Sequence, residues 1–330
     1  MLKAVNGRLL LAGLLISIVG LRTAVAKPGP AVTNLADVDG DFAVMGEYSG
    51  QLLEVGSAAT YPAALQVVAL GNGEFRAALL RGGLPGNGWD RSDRVELKGQ
   101  REGDVVKLTG DAVELELQGN SAKLSSAGQS LGVLGKVVRR SAHEGLLPPP
   151  NSIVLFDGRD TQAFKNAKMK DGLLQIGTEL LPLFRNFQLH VEFMTPYMPA
   201  ARGQDRGNSG VYIHSRYEVQ VLDSFGLKGA FNECGSLYRQ RSPDLNMAFP
   251  PLSWQTYDIT FHAPIFDAAG NKCRNARITL LHNGVPIHDN VEIVAKTGAG
   301  KAEGPDSLPI KLQDHGNPVQ FRNLWLIELP

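Results

Sequence analysis

Cysteine is nearly missing: the 330 residues contain two, Cys234 and Cys273. A pair of thiols makes no disulfide framework, and a structural metal site needs more ligands than two cysteines supply. An oxidising compartment would permit a bridge between them, and two separate thiols fit the sequence equally well. An excess of one charge is missing too. Lys plus Arg and Asp plus Glu each number 33. That balance gives no reason to expect nucleic acid or anionic membrane as a partner, and no acidic tail. Long amphipathic runs are scarce, and no Gly-x-Ser-x-Gly elbow, phosphate loop or His-Glu-x-x-His occurs. Turn chemistry is abundant instead, with 37 Gly and 19 Pro. That composition favours many short strands.

The N-terminus predicts an export signal over 1–26. Lys3 and Arg8 form a basic start, Leu9 to Leu21 is an almost unbroken apolar run, and Ala24-Val25-Ala26 offers small residues for cleavage. The run is short of the ~20 apolar residues of a membrane span. An uncleaved anchor is the alternative; cleavage predicts a periplasmic or secreted protein with no integral membrane span. Residues 27–40 read as a linker. From 41 to 140 apolar runs alternate with turns, as expected of a small all-β barrel or sandwich. The runs on either side of Gly71-Asn72-Gly73 form a hairpin pattern, and 113–117 alternates strictly. Trp89, in a Gly-rich loop over 81–90, either stacks on a sugar or plugs the end of a small barrel. The Pro-rich stretch 141–152 reads as a stiff spacer.

From 153 to 330 short strands without a long helix predict a β-sandwich. Phe187, Leu189, Val191 and Phe193 alternate with Gln188, His190 and Glu192. Tyr217, Val219 and Val221 alternate with Glu218, Gln220 and Leu222. Near the C-terminus Phe321, Trp325 and Ile327 are expected on one face, Gln320 and Arg322 on the other. His282-Asn283-Gly284-Val285 predicts a hairpin turn. If the polar faces of the three strands neighbour one another in one sheet, carboxylate, amide and guanidinium line a saccharide site, with Tyr212, His214 and Trp254 as stacking platforms. An ordinary solvated sheet face is the alternative. The loop 311–318 places Asp314 beside His315, either as an acid–base pair at the sheet rim or as turn caps. Gln220 stands where a sandwich-type retaining glycosidase would carry a carboxylate, which weakens a two-carboxylate mechanism without excluding it; Glu192 and Asp223 are the candidate partners. No cofactor is implied with certainty; Asp205, Glu218, Asp223 and His315 could hold a divalent cation.

The segments Leu155-Phe156-Asp157-Gly158, Gly207 to Tyr212, Tyr217 to Ser224, Cys234 to Tyr238, Trp254 to Asp258 and Leu312 to Asn323 resemble the 3-keto-disaccharide hydrolase family, in order over about 151–330. The resemblance implies a concanavalin-like jelly-roll sandwich that cleaves glycosides oxidised at C3 of the sugar. A 3-ketone acidifies the C2 hydrogen, so a base can remove it and expel the C1 substituent, with water added afterwards. On parity and this chemistry, Glu218 or His315 is the base, and Arg322, Gln220 or a bound cation stabilises the enolate. Asn208 and Asp223 position hydroxyls, with Tyr212, Glu192, Trp254 and Asp314 also against the carbohydrate. A lectin-like binding module and a cell-surface interaction module are the competing classes. A lectin needs no acid–base group.

Overall fold

The structure is a computed structural model that describes residues 29–91 and 94–330. The expected export signal lies outside the described residues. Among those residues no helix is long and apolar enough to cross a membrane; regular helix is confined to single 3-10 turns at Leu35–Asp37 and Gly203–Asp205.

Eight strands close into an antiparallel barrel: β1 (Gly46–Leu53), β2 (Thr60–Gly71), β3 (Glu74–Arg81), β4 (Arg94–Glu102), β5 (Val105–Gly110), β6 (Val113–Gln118), β7 (Ser121–Ser126) and β8 (Gln129–Val137). Asn72 and Gly73 both take positive φ, +55° and +73°, and make the two-residue turn between β2 and β3. In β6, Leu115 and Leu117 enter the barrel core while Glu114 and Glu116 face water. Closure through β1 and β8 leaves no open sheet edge.

The second unit has two sheets over one core. One runs in the order β10 (Phe164–Lys165), β13 (Thr178–Leu180), β22 (Lys311–Leu312), β15 (Ser209–Ile213), β16 (Tyr217–Val221). The other runs β11 (Met169–Lys170), β12 (Leu173–Gln175), β23 (Gln320–Leu329), β14 (Asn186–Met194), β17 (Gln255–His262), β20 (Ala276–His282), β21 (Val285–Ile293), with β9 (Ile153–Phe156) also on β23. A small ribbon of β18 (Ile265–Phe266) and β19 (Lys272–Arg274) stands apart. Phe187, Val191 and Phe193 from one sheet meet Val211, Val219 and Val221 from the other, each fully buried. The chain is therefore all-β, a barrel followed by a sandwich.

Three expectations are corrected by this arrangement. The polar strands do not share a sheet: β14 and β23 are neighbours, but β16 belongs to the opposite sheet. Because the apolar partners of both sets point into the shared core, His190, Glu192 and Arg322 face outward on one side of the sandwich, Glu218 and Gln220 on the other. Trp325 and Ile327 do not share Phe321's face. Asn323, at φ +48°, adds a residue to β23 opposite β14, so Phe321, Leu324 and Leu326 point inward while Trp325 stacks on His190. His214 is no stacking platform: it is buried against Phe187 and Phe261, and burial lowers its pKa to about 4.

Barrel and sandwich are closely joined. Phe225 is buried within the barrel's apolar cluster, and Arg76 and Arg94 donate to the carbonyls around it. Val32 pairs with Tyr197 across the units. Trp89 neither plugs the barrel nor stands free: it packs against the sandwich core. Both thiols are free, Cys234 buried and Cys273 exposed.

Candidate active site

Side chains opposite one another on the outer face of the five-stranded sheet form one row. Lys165 faces Glu179, Glu179 faces Lys311, Lys311 faces Tyr212 and Tyr212 faces Glu218. Their inward neighbours Phe164, Leu180, Leu312, Val211 and Val219 all sit in the core, which obliges the row to point out. Strands lie ~4.8 Å apart, so Lys311 is two strands, roughly 10 Å, from Glu218 at the backbone.

Glu218 ends the row and is only 3% exposed. Gly210 on β15 makes room for it: a Cβ there would lie 2.8 Å from Glu218 Oε1. The Tyr212 hydroxyl donates to Glu218 Oε2 at 2.7 Å. Burial dominates its titration and pushes its pKa up to about 7, against the opposing pull of the Tyr212 hydrogen bond. The Gln220 amide is 3.1 Å from Glu218 Oε1; with nitrogen on that side it donates to the carboxylate and to Ser209 O. Turned the other way, its nitrogen reaches Gln204 Oε1 at 3.0 Å. An amide can thus serve either protonation state of Glu218, where a second carboxylate would repel the ionised form.

A loop over 294–304 roofs this end. Arg216 Nε donates to Ala302 O at 2.8 Å and its Nη1 to Asp306 O at 2.6 Å, and the Lys301 amide donates to Ser215 O. Gly298 passes over Glu218 so closely that a Cβ would sit 2.9 Å from Oε2 and 2.9 Å from the Tyr238 ring. Beside the roof a cleft of about 110 Å3 opens, lined by Glu179, Tyr212, Ser215, Lys301, Lys311 and Gln313. Gln313 Oε1 is buried there and has no hydrogen-bond partner among the described residues.

Of the remaining expected site residues, Asn208 stays at this end and the others lie elsewhere. Asn208 is buried beside Gln220, with its amide held by Asn317 Oδ1 and its Nδ2 on Gln204 O. Asp223 forms a buried ion pair with Arg206 at 2.7 Å, and Arg206 reaches Ala69 O of the barrel. It therefore serves the junction of the two units. Asp314 and His315 are exposed, and Asp314 accepts from the Gly316 amide at 2.9 Å as a turn cap. Among the described residues they form no hydrogen-bonded pair. Asp205, Glu218, Asp223 and His315 are not gathered as a ligand set either: the described residues contain no cluster of three or more His, Cys, Asp or Glu fit for a metal.

Glu192, Arg322 and Trp254 sit together on the far side of the sandwich. Arg322 Nε meets Glu192 Oε2 at 2.7 Å, its Nη2 meets Glu144 Oε1 at 3.0 Å, and its guanidinium lies 3.9 Å over the Trp254 ring. Asn323 Nδ2 and the Gly145 amide donate to Glu192 Oε1 at 2.8 and 2.6 Å. Burial would raise the Glu192 pKa, but donors from His190, Asn323, Arg322 and Gly145 outweigh it and bring it to about 2. Across the same surface His143 and His190 each bind Asp258, at 2.7 and 2.6 Å. The stretch 141–146 is thus fastened along the sandwich.

Sequence reasoning did not pick out Glu179, Lys301, Lys311, Gln313 or Tyr238. Glu179 lies in a three-residue strand and Lys311 in a two-residue one, too short for alternation to register.

Fold and site together define a β-sandwich protein with a buried carboxyl on one sheet face. The chain belongs to the family described as "3-keto-alpha-glucoside-1,2-lyase-like domain", which residues 151–327 match. A solved structure from Parabacteroides distasonis ATCC 8503, described as a "putative glycosyl hydrolase", is 32% identical with a TM-score of 0.51. The match covers 55% of this chain and 85% of that one. A second structure from the same organism, with the same description, is 19% identical with a TM-score of 0.39, covering 55% of this chain and 94% of its own. No curated protein matches. Family and relative support a glycoside-cleaving function, and the barrel lies outside the matched residues.

Proposed function

We propose that this protein cleaves glycosides of 3-keto sugars by elimination across C1 and C2 followed by hydration, with Glu218 as the base. The observation that carries this reading is Glu218 itself, a buried carboxyl with a pKa of about 7 beside a cleft bearing two lysines. A general base works best with its pKa near the operating pH.

Glu218 takes the C2 proton, and the C2–H electron pair forms the enolate with the 3-oxygen. Lys311 or Lys301, both of which line the cleft, supplies the positive charge that stabilises this oxyanion. Arg322 cannot take that part from the opposite face of the sandwich. Collapse of the enolate breaks the C1–O bond, and the aglycone leaves as an alcohol with the proton from Glu218. Water then adds to C1 of the enone, Glu218 takes its proton, and C2 is reprotonated. The net change is hydrolysis. One carboxyl suffices, which explains Gln220 at the neighbouring position. The roof over 294–304 must shift for a disaccharide, since the cleft is smaller than the roughly 300–1,000 Å3 of ordinary ligand pockets.

The basic start at Lys3 and Arg8 and the apolar run 9–21 support export, so we place the reaction in the periplasm or outside the cell. The test is turnover of a 3-keto-disaccharide and its unoxidised parent in heavy water. The reading expects cleavage of the keto sugar alone, with deuterium at C2 of the product. Cleavage of both without C2 exchange would contradict it, and saturable binding with no cleavage would make this a sugar-binding protein.

A further inference from the structure

We infer that the junction of barrel and sandwich is a second saccharide-binding cleft, built on Trp254 and separate from Glu218. This goes beyond the proposed reaction and does not depend on it.

Two clefts, of about 360 and about 500 Å3, meet at Leu35, Leu252 and Trp254. Both fall within the size range of small-molecule sites. Their walls come from distant parts of the chain: the segment 33–37 that straps barrel to sandwich, the end of β8, the loop 250–254, and the turn between β11 and β12. The barrel and its strap thus create a concavity that the sandwich alone lacks.

Trp254 is held for the purpose of stacking. Arg322 covers one part of the indole at 3.9 Å, and Arg322 is itself clamped by Glu192 and Glu144. Trp254 is half-buried and lines both clefts. Around it stand hydrogen-bonding groups of both kinds, among them Asn34, Asp171, Lys170 and Gln320. An apolar ring face with a rim of donors and acceptors matches a pyranose, which has apolar C–H faces and an equatorial fringe of hydroxyls. Charges of both signs line the walls, with Lys170 beside Asp171 and Arg140 near Glu144, which favours a neutral glycan over an acidic one. Trp254 belongs to the side of the eight-stranded sheet, so a glycan bound there leaves the Glu218 face open.

The full chain is titrated calorimetrically with maltohexaose and with cellohexaose, neutral probes that carry no ketone. Saturable binding of at least one is expected, weakened at least about tenfold in Trp254→Ala, the loss of one aromatic contact and its packing. Leu35→Glu provides a second variant that spares the fold, because Leu35 is 61% exposed yet lines both clefts; it is expected to weaken binding likewise. Turnover of a 3-keto-disaccharide by Leu35→Glu should stay within about twofold of wild type. Absence of binding by wild type to both probes would overturn the inference. So would binding unchanged in both variants, or binding lost in Glu218→Gln instead, which would put the glycan in the other cleft. Calorimetry needs no turnover, so its outcome stands whether or not the keto sugar is cleaved.

Discussion

Glu192 and Glu218 occupy matching places on the two outer faces of one sandwich. Each sits between a buried valine and a buried aromatic residue on its strand and each is almost fully buried, at 0% and 3% exposure. Their chemistry is opposite. Glu192 is surrounded by His190, Arg322, Asn323 and the Gly145 amide and falls to about 2. Glu218 has one hydroxyl, from Tyr212, and an amide that can turn either way, and burial lifts it to about 7. Burial alone does not make a carboxylate reactive. The number of donors permanently aimed at it decides whether it becomes an ionic clasp or a proton carrier.

The contrast breaks most sharply in turnover. Glu218→Gln should stay folded and lose about a thousandfold in rate on a 3-keto-disaccharide, within the usual span for a general base. Glu192→Ala should instead cost about 2–4 kcal/mol in urea denaturation, because Arg322, the Asn323 amide and the Gly145 amide all lose their buried acceptor and Arg322 keeps only the Glu144 carboxylate. Tyr212→Phe removes the hydroxyl that favours ionised Glu218 and leaves it the Gln220 amide. The limb of its pH–rate profile should move up by about one unit, in keeping with a charge-assisted hydrogen bond. Asn323→Gly keeps the positive φ of the bulge and deletes the Nδ2 donor to Glu192 and to Leu146 O; about 1–2 kcal/mol of stability is expected to go.

The two carboxyls also pull stability in opposite directions with pH. Glu192 titrates below its unfolded value of 4.5, so its contribution is present above that pH and is lost as pH falls toward 2. Glu218 titrates above 4.5, so it binds its proton more tightly folded than unfolded. Its penalty grows as pH rises from 4.5 to about 7 and amounts to roughly 3 kcal/mol beyond it. Glu218→Gln should therefore be more stable than wild type above neutrality and no more stable near pH 4, as thermal melts at the two pH values would show.

Much of this architecture could be read from the chain. Alternation found β6, β14 and β16, and Asn-Gly pairs found two turns, because period and turn chemistry are local properties. Which strands lie side by side is not local. Glu192 and Arg322 are paired across β14 and β23, and nothing in either segment says that β16 lies in the other sheet. The bulge at Asn323 hid the true face of Trp325 for a related reason: one left-handed residue shifts everything after it. The pairing of Asp314 with His315 failed because a short Asp in a Gly turn caps its own backbone first. Glu218 was singled out correctly as an outward carboxylate, but its separation from Arg322 and Asp223 needed the fold.

The most direct measurement is a carbon-13 NMR titration of the full chain labelled at its glutamate carboxyls, with Glu218→Gln and Glu192→Gln spectra for assignment. Glu218 should titrate near 7, and Glu192 should remain ionised down to the pH at which the protein unfolds. A Glu218 midpoint in the ordinary carboxylate range, around 4.3, would contradict the distinction between the two faces and remove the base from the proposed reaction.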